Sequence, residues 1–349
     1  MATRSAIIIQ GKGKAELKTG LPRPAVAPDS LAIKPYAVAL NPTDWKSIDF
    51  VGTEGAVSGC DYSGVVQAVG SDVKNGIRAG DRVAGWAHGC HAEKPEDGGF
   101  TDYIVNKAHM NFKIPDNVSF EEAATLPLGI STVGQGLYQA LKLPFPGDSD
   151  TSKGAAEPIL IYGGSTATGT LAIQFAKLSG YKVIATASPH NFDLVKSVGA
   201  EQVFDYKSPS CAADIKKATN DSLKLVFDTV ATDDTAKLSA EAISSAGGHY
   251  SSLLPVGEFP RKDVESGWTL AYTALGETFD KYGVHCPANP KDAEFSAKIL
   301  TYAGKLLAEG KLKPHPSDVR PGGLAGTLQG FQDMREGKYS GAKLVYKTD

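Results

Sequence analysis

The sequence predicts a two-part α/β protein, in which a β-rich, barrel-like part precedes a doubly wound parallel sheet flanked by helices. Three observations carry that expectation. Short strand-like runs separated by Gly, Pro and Asp fill the first third of the chain, strand and helix patterns alternate from Ile159 onward, and 349 residues exceed what one core usually serves.

The early runs are Ser5–Gln10, Leu31–Leu40, Gly64–Val69, Asp81–Ala84 and Thr101–Val105, and helical patterns follow at Glu121–Thr125 and Ser131–Leu141. The polar stretch PFPGDSDTSKGAA between Leu143 and Glu157 reads as a flexible surface insertion without chemistry. Ile159–Tyr162 is an apolar run of strand length, and a turn of small residues follows, bracketed by Gly163 and Gly169. Leu171, Phe175 and Leu178 then recur at helical spacing until Gly180, and strand Lys182–Ala187 completes a βαβ unit. The alternation continues as helix Phe192–Val198, strand Gln202–Tyr206, helix Ala212–Thr219, strand Leu223–Val230, helix Asp233–Ser245 and strand His249–Leu254. Trp268–Leu275 is expected as the far strand, Ala293–Ala308 as a helix, and Lys343–Lys347 as a strand rejoining the first part.

A net charge of −3 gives no electrostatic reason to expect nucleic acid or an anionic membrane. No apolar run approaches membrane-spanning length, and the N-terminal residues match neither a signal h-region nor a transit peptide. Four scattered cysteines, at 60, 90, 211 and 286, argue against a disulfide framework and for a reducing cytoplasm.

The βαβ unit invites a dinucleotide, because a helix N-terminus offers unpaired N–H groups and a partial positive charge to a pyrophosphate. The usual fingerprint adds an acid after the second strand to hold the ribose 2′-hydroxyl. That place holds Ser188, and Pro189, His190 and Asn191 bring no carboxylate either. Hydroxyl, amide and imidazole would greet a 2′-phosphate, so NADPH is expected over NADH. Ser188-Pro189 is equally an N-cap with proline at the first helical position, and the two readings are compatible. The common glycine spacing puts a third glycine at 166, where this chain has Thr. The cofactor is therefore expected slightly outward, held partly by the hydroxyls of Ser165, Thr166 and Thr168, the alternative being a loop that binds it only weakly.

The segment SGCDYSGVVQAVGSDVKNGIRAGDRVAG (58–85) together with the βαβ unit resembles the medium-chain dehydrogenase/reductase superfamily. More narrowly, NPTDWK (41–46), PLGISTVG (127–134), YGGSTATG (162–169), ASPHNFDL (187–194) and GGHYSSL (247–253) resemble the trans-acting enoyl reductases of fungal polyketide synthases. That resemblance implies a GroES-like catalytic domain, 1–123 with 287–349, and a Rossmann NADPH-binding domain, 124–286, with the active site in the cleft. It implies reduction of the α,β-double bond of a polyketide thioester on the acyl carrier domain of a partner synthase, or of a hybrid synthase–peptide synthetase. It assigns Thr43, Asp44, Trp45 and Lys46 to the nicotinamide side, and Ser165, Thr166, Ala167 and Thr168 to the pyrophosphate. Ser188, Pro189, His190, Asn191 and Tyr206 would surround the adenosine phosphate, Leu253 and Leu254 the nicotinamide, and Ala342 with Lys343 would close the cofactor site. Leu128, Gly129, Ile130, Ser131, Thr132, Val133, Thr273, Ala274, Leu275, Gly276 and Glu277 would line the substrate channel.

Zinc-dependent members of that superfamily bind the metal through a cysteine and a Gly-His-Glu motif. Here those positions read Asn41 and Gly59-Cys60-Asp61, and no third ligand has recognisable spacing, so no metal is expected. A buried Cys60 and a hydrogen-bonded Asp61 are the simpler reading. Conjugate reduction can dispense with the ion, because hydrogen-bond donors can hold charge developing on a thioester oxygen.

Lys46 is the candidate catalytic residue, following Trp45 in a short loop and able to touch the nicotinamide ribose and enolate charge. Asp44 is expected to be exposed and ionised, hence no acid. The histidines at 88, 91, 109, 249, 285 and 315 share no metal spacing. Proline and clustered charge in Val256–Val264 oppose edge pairing with a second subunit and favour a monomer. A free-standing NADPH quinone or enone reductase shares nearly all these motifs, and a non-catalytic NADPH-binding protein is the further alternative.

Overall fold

The computed structural model describes residues 2–146 and 157–348, so most of the expected surface insertion lies outside the described residues. By packing, the chain divides into two units, one of residues 1–131 with 272–349, the other of 132–271.

The first unit opens with a hairpin of β1 (Thr3–Gly11) and β2 (Lys14–Pro22), followed by β3 (Ser30–Ala39). A five-residue helix α1 (Pro42–Lys46) comes next, then β4 (Asp61–Val69), β5 (Arg82–Trp86), β6 (Ile104–Lys107) and β7 (Asn111–Lys113). Two short helices, α2 (Phe120–Ala124) and α3 (Pro127–Val133), lead out of it.

The second unit alternates β8 (Pro158–Tyr162), α4 (Ala167–Leu178), β9 (Lys182–Ala187), α5 (Phe192–Ser197), β10 (Gln202–Asp205), α6 (Cys211–Ala218), β11 (Leu225–Asp228), α7 (Asp233–Ala242), β12 (Gly248–Ser252) and β13 (Val264–Trp268). Its strands pair in parallel in the order β10-β9-β8-β11-β12-β13, so the chain reverses direction across the sheet between β8 and β11. Ligands of such sheets bind beyond the carboxyl ends of the strands at that switch. Leu160, Ile184, Val226 and Tyr250 bury one face of the sheet with Ile215 of α6 and Ala236 and Ala240 of α7.

The far strand is β13, and Ala271–Leu275 is a 3-10 turn. The expectation of a strand over Trp268–Leu275 therefore fails. An edge strand needs little apolar sequence, and only Val264 of β13 is buried, whereas Tyr272, Ala274 and Leu275 pack into the first unit. So does the segment 272–286, which the sequence reading placed with the nucleotide-binding part.

The chain then adds to the first unit the small hairpin β14 (Phe279–Lys281) and β15 (Val284–Cys286), helix α8 (Pro290–Ala308), β16 (Ser317–Arg320), α9 (Gly323–Arg335) and β17 (Lys343–Lys347). As expected from its pattern, β17 rejoins the first part, lying antiparallel to β3 and parallel to β16. The resulting sheet runs β16-β17-β3-β4-β5-β7 with β6 on β3. Ile33, Val38, Tyr62, Val83, Phe100, Phe331 and Tyr346 fill its core. Among the described residues no helix is long and apolar enough to cross a membrane, and all four cysteines are free and buried.

Candidate functional site

In the second unit, the expected nucleotide residues gather at the carboxyl ends of the parallel strands. Ser165, Thr166, Ala167 and Thr168 follow β8 and open α4, Ser188–Asn191 follow β9, Tyr206 follows β10, and Leu253 and Leu254 follow β12. Gly163 adopts φ +77°, and a Cβ there would lie 2.7 Å from Thr229 Oγ1. A Cβ on Gly169 would lie 2.2 Å from the Gly163 carbonyl, so this glycine is what lets α4 close onto the strand.

Thr166 caps α4, accepting the Gly169 N–H at 2.8 Å and pairing with Thr229 Oγ1 at 2.9 Å. Its hydroxyl is therefore turned into the loop. A β-region Thr at an N-cap satisfies the helix's own N–H first, so Thr166 shapes the loop around the helix start. Ser165 and Thr168 stay half-exposed beside the helix start. Ser188 Oγ donates to Tyr206 OH at 3.3 Å, which joins the ends of β9 and β10 through two hydroxyls. Lys207, which sequence reasoning passed over, lies with its ammonium 5.9 Å from the Tyr206 ring centre. Its position next to Tyr206 was the available signal.

In the first unit, Thr43, Asp44, Trp45 and Lys46 lie on α1 rather than in a loop. Asn41 is the N-cap, Pro42 takes the first helical position, and Asp44 Oδ2 accepts the Asn41 N–H at 2.7 Å. Asp44 is only 3 % exposed, and its Oδ1 is buried without a hydrogen-bond partner. Burial, with nearby Asp61 adding to it, pushes its carboxyl up to about 7. The expectation of an exposed, permanently ionised Asp44 is overturned, because the cap draws the side chain inward. Lys46 is half-buried, its ammonium 5.8 Å from the Trp45 ring centre, and desolvation lowers its pKa.

Asp61 is fully buried and saturated with donors. Leu128 N–H reaches Oδ1 at 2.7 Å, Asn41 Nδ2 reaches Oδ2 at 2.9 Å, and the Lys343 ammonium also donates to Oδ2. Lys343 further donates to the Thr125 carbonyl at 3.3 Å. The ammonium of Lys343 is thus buried and engaged within the first unit, with Ala342 half-exposed beside it. The positions that hold zinc in relatives here supply an amide, a thiol whose pKa burial raises, and a carboxylate already paired with a lysine. That donor set does not suit zinc. Among the described residues no three His, Cys, Asp or Glu side chains converge as a metal site.

The remaining expected residues are dispersed. Leu128, Gly129, Ile130, Ser131 and Val133 are buried, Thr132 is half-exposed, and Ser131 Oγ accepts the Trp86 indole N–H at 2.9 Å. Thr273 donates to Asp292, Ala274 gives its carbonyl to His109 at 3.2 Å, and Gly276 turns with φ +76°. Glu277 bridges Lys94 and Lys107 at 2.5 and 2.9 Å, which holds its carboxyl below the usual range.

Tyr272, Lys281 and Tyr282 were missed. Thr43 Oγ1 lies 2.8 Å from Tyr272 OH and 3.2 Å from Tyr282 OH, and Ser47 Oγ lies 3.0 Å from Tyr282 OH. Lys281 is 2 % exposed, donates to the Gly89 carbonyl at 3.1 Å, and sits 4.2 Å from the Tyr272 ring centre. His88, buried and held toward neutrality, packs tilted against Tyr272 itself, with ring centres 4.3 Å apart.

A GroES-like unit and a doubly wound nucleotide-binding unit on one chain define the dehydrogenase class. Accordingly, the alcohol dehydrogenase GroES-like domain family matches residues 27–116 and the zinc-binding dehydrogenase family residues 167–252. An alcohol dehydrogenase superfamily protein from Novosphingobium aromaticivorans shares the fold, with a TM-score of 0.82 at 24% identity over 99% of this chain and 100% of that one. Trans-enoyl reductase ACTTS2 of Alternaria alternata is 48% identical over 100% of both chains. Trans-enoyl reductase resD of Aspergillus sclerotiorum is 44% identical over 98% of this chain and 99% of its own. The chain belongs to the trans-enoyl reductases of the medium-chain dehydrogenase/reductase superfamily, nicotinamide-dependent oxidoreductases.

Proposed function

We propose that the protein reduces the α,β-double bond of a polyketide thioester, carried on the acyl carrier domain of a partner synthase, with NADPH as the reductant. The observation that carries the reading is the set of donors at the strand ends of the second unit. Ser188 and Tyr206 present hydroxyls where an NADH-specific relative would place a carboxylate, and Lys207 adds positive charge beside them. When bound, the reduced nicotinamide supplies hydride to the β-carbon. The chain's own work is then to hold the pyrophosphate at the α4 N-terminus, to steady negative charge on the thioester oxygen, and to return a proton. Lys46, half-buried and without a carboxylate partner among the described residues, is suited to the second task. Asp61 with Lys343 supplies an internal ion pair where relatives bind zinc, so the reaction is read as metal-free. Glu265 on the exposed edge strand β13 opposes strand pairing between copies and supports a monomer, and the four free, buried cysteines suit a reducing cytoplasm.

The test is incubation with NADPH or NADH and a series of enoyl-pantetheine thioesters of increasing length, following loss of the reduced cofactor. Oxidation of NADPH that improves with chain length is the expected result. Faster turnover of simple quinones would instead mark a free-standing quinone reductase, and tight NADPH binding without any turnover a non-catalytic protein.

A further inference from the structure

Hydride addition leaves an enolate that needs a proton at the α-carbon. One continuous set of polar groups in the first unit runs from surface to interior through Thr43. On the outer side, Tyr282 is 41 % exposed, yet its hydroxyl turns in to Thr43 Oγ1 at 3.2 Å and Ser47 Oγ at 3.0 Å. On the inner side, Tyr272 OH meets Thr43 Oγ1 at 2.8 Å and the Cys60 thiol at 3.6 Å. Cys60 in turn neighbours Asp44, whose Oδ1 is buried and unpartnered.

The backbone gives independent weight to Tyr282. Lys281 and Val284 pair across the β14–β15 hairpin, so Tyr282 and Gly283 form its two-residue turn, with φ of 54° and 75°. Such turns favour Asn-Gly, because both positions are left-handed. A tyrosine in the first position is strained, and side chains held that way cluster at working sites. Here the strain places a phenol on Thr43.

We infer that the series Tyr282–Thr43–Tyr272, ending inward at Cys60 and Asp44, delivers the proton that completes reduction, with Thr43 Oγ1 giving it to the α-carbon. This rests on the enoyl-reduction reading above. The enolate carbon forms its C–H bond with the Thr43 proton as the thioester carbonyl re-forms. Thr43 takes the proton of a flanking phenol. That phenol is reprotonated from water at Tyr282, or from the Asp44 carboxyl by way of the Cys60 thiol on the Tyr272 side. Asp44 held up to about 7 can both carry and release that proton near neutrality. The Lys281 ammonium on the face of Tyr272 eases transient negative charge in its ring.

The test is single-turnover reduction of an enoyl-pantetheine in D2O, reading both rate and the face of the α-carbon that carries deuterium. Wild-type protein is expected to deuterate one face. Thr43→Val is expected to slow turnover by roughly a hundredfold, with deuterium on both faces as solvent takes over protonation. Thr43→Ser, which keeps the hydroxyl, restores rate and face selectivity. The double variant Tyr272→Phe/Tyr282→Phe, which keeps both rings, behaves as Thr43→Val. Single-face deuteration by Thr43→Val or by the double phenylalanine variant overturns the inference while leaving enoyl reduction intact. Wild-type protein inert toward every enoyl thioester removes the functional reading, and the relay with it.

Discussion

Asp44→Asn offers the sharpest thermodynamic test of the site. The substitution keeps an oxygen to accept the Asn41 N–H at the α1 cap, so it removes the ionisable proton and little else. Burial raises the carboxyl from 3.8 to about 7, a bias of about 4 kcal/mol against the charged form, at 1.36 kcal/mol for each tenfold change in proton affinity. Because the folded state binds the proton more tightly than the unfolded chain, the sign follows directly. Stability is fully present below the unfolded pKa near 4 and is lost as pH rises to about 7. Local relaxation around the charged carboxylate returns part of that bias, so at pH near 8 the variant should be more stable than the parent by about 2–4 kcal/mol. Near pH 4 the two should coincide. Asp97, also raised to about 7 by burial, tilts both proteins alike and cancels in the difference. So do His88, His109 and His315, whose depressed values act in the opposite direction, losing stability as pH falls below about 6.5. Urea unfolding of both proteins across that range, monitored by far-UV circular dichroism, measures the gap. A gap that stays constant with pH would refute the burial argument.

Lys343→Met should destabilise the first unit by about 3–5 kcal/mol, because it leaves the buried Asp61 carboxyl without its ion-pair partner, and Asp61→Asn in the same chain should recover much of that loss in chemical denaturation. Ser188→Asp places a carboxylate against a 2′-phosphate and should weaken NADPH binding by roughly tenfold or more while sparing NADH, read by fluorescence titration of each cofactor. Lys46→Ala should cut turnover by roughly a hundredfold with the melting temperature unchanged, and unaltered kinetics would remove Lys46 from the mechanism.

The βαβ unit was legible because its signals are local: an apolar run, two glycines whose Cβ would collide with neighbours, and a helical repeat closed by Gly180. Helix α1 was missed although its start was written as Asn41, Pro42 and Asp44, since five residues are too few for any periodicity to show. The same cap hid the burial of Asp44, because a charged residue in a polar stretch reads as surface until its backbone partner is known. The Asp61–Lys343 pair joins residues 282 positions apart, and no spacing rule reaches that far. Tyr282 escaped because Tyr-Gly is an unusual turn pair, and the hydroxyl it meets belongs to a helix 239 positions away. The Thr for Gly exchange at 166 was legible, but not the cap that its hydroxyl forms on α4. Without the loop geometry, nothing in the sequence says that the hydroxyl turns back to cap its own helix.

The discontinuous make-up of the first unit has a consequence for biosynthesis. The second unit consists of consecutive residues, 132–271, and has every strand of its sheet before β16 and β17 leave the ribosome. Until Lys343 emerges, Asp61 has no cation and β3 lacks its β17 neighbour, so nascent chains should hold a finished nucleotide-binding module beside an open half-barrel. That interval is when a chaperone has the most exposed apolar surface to protect.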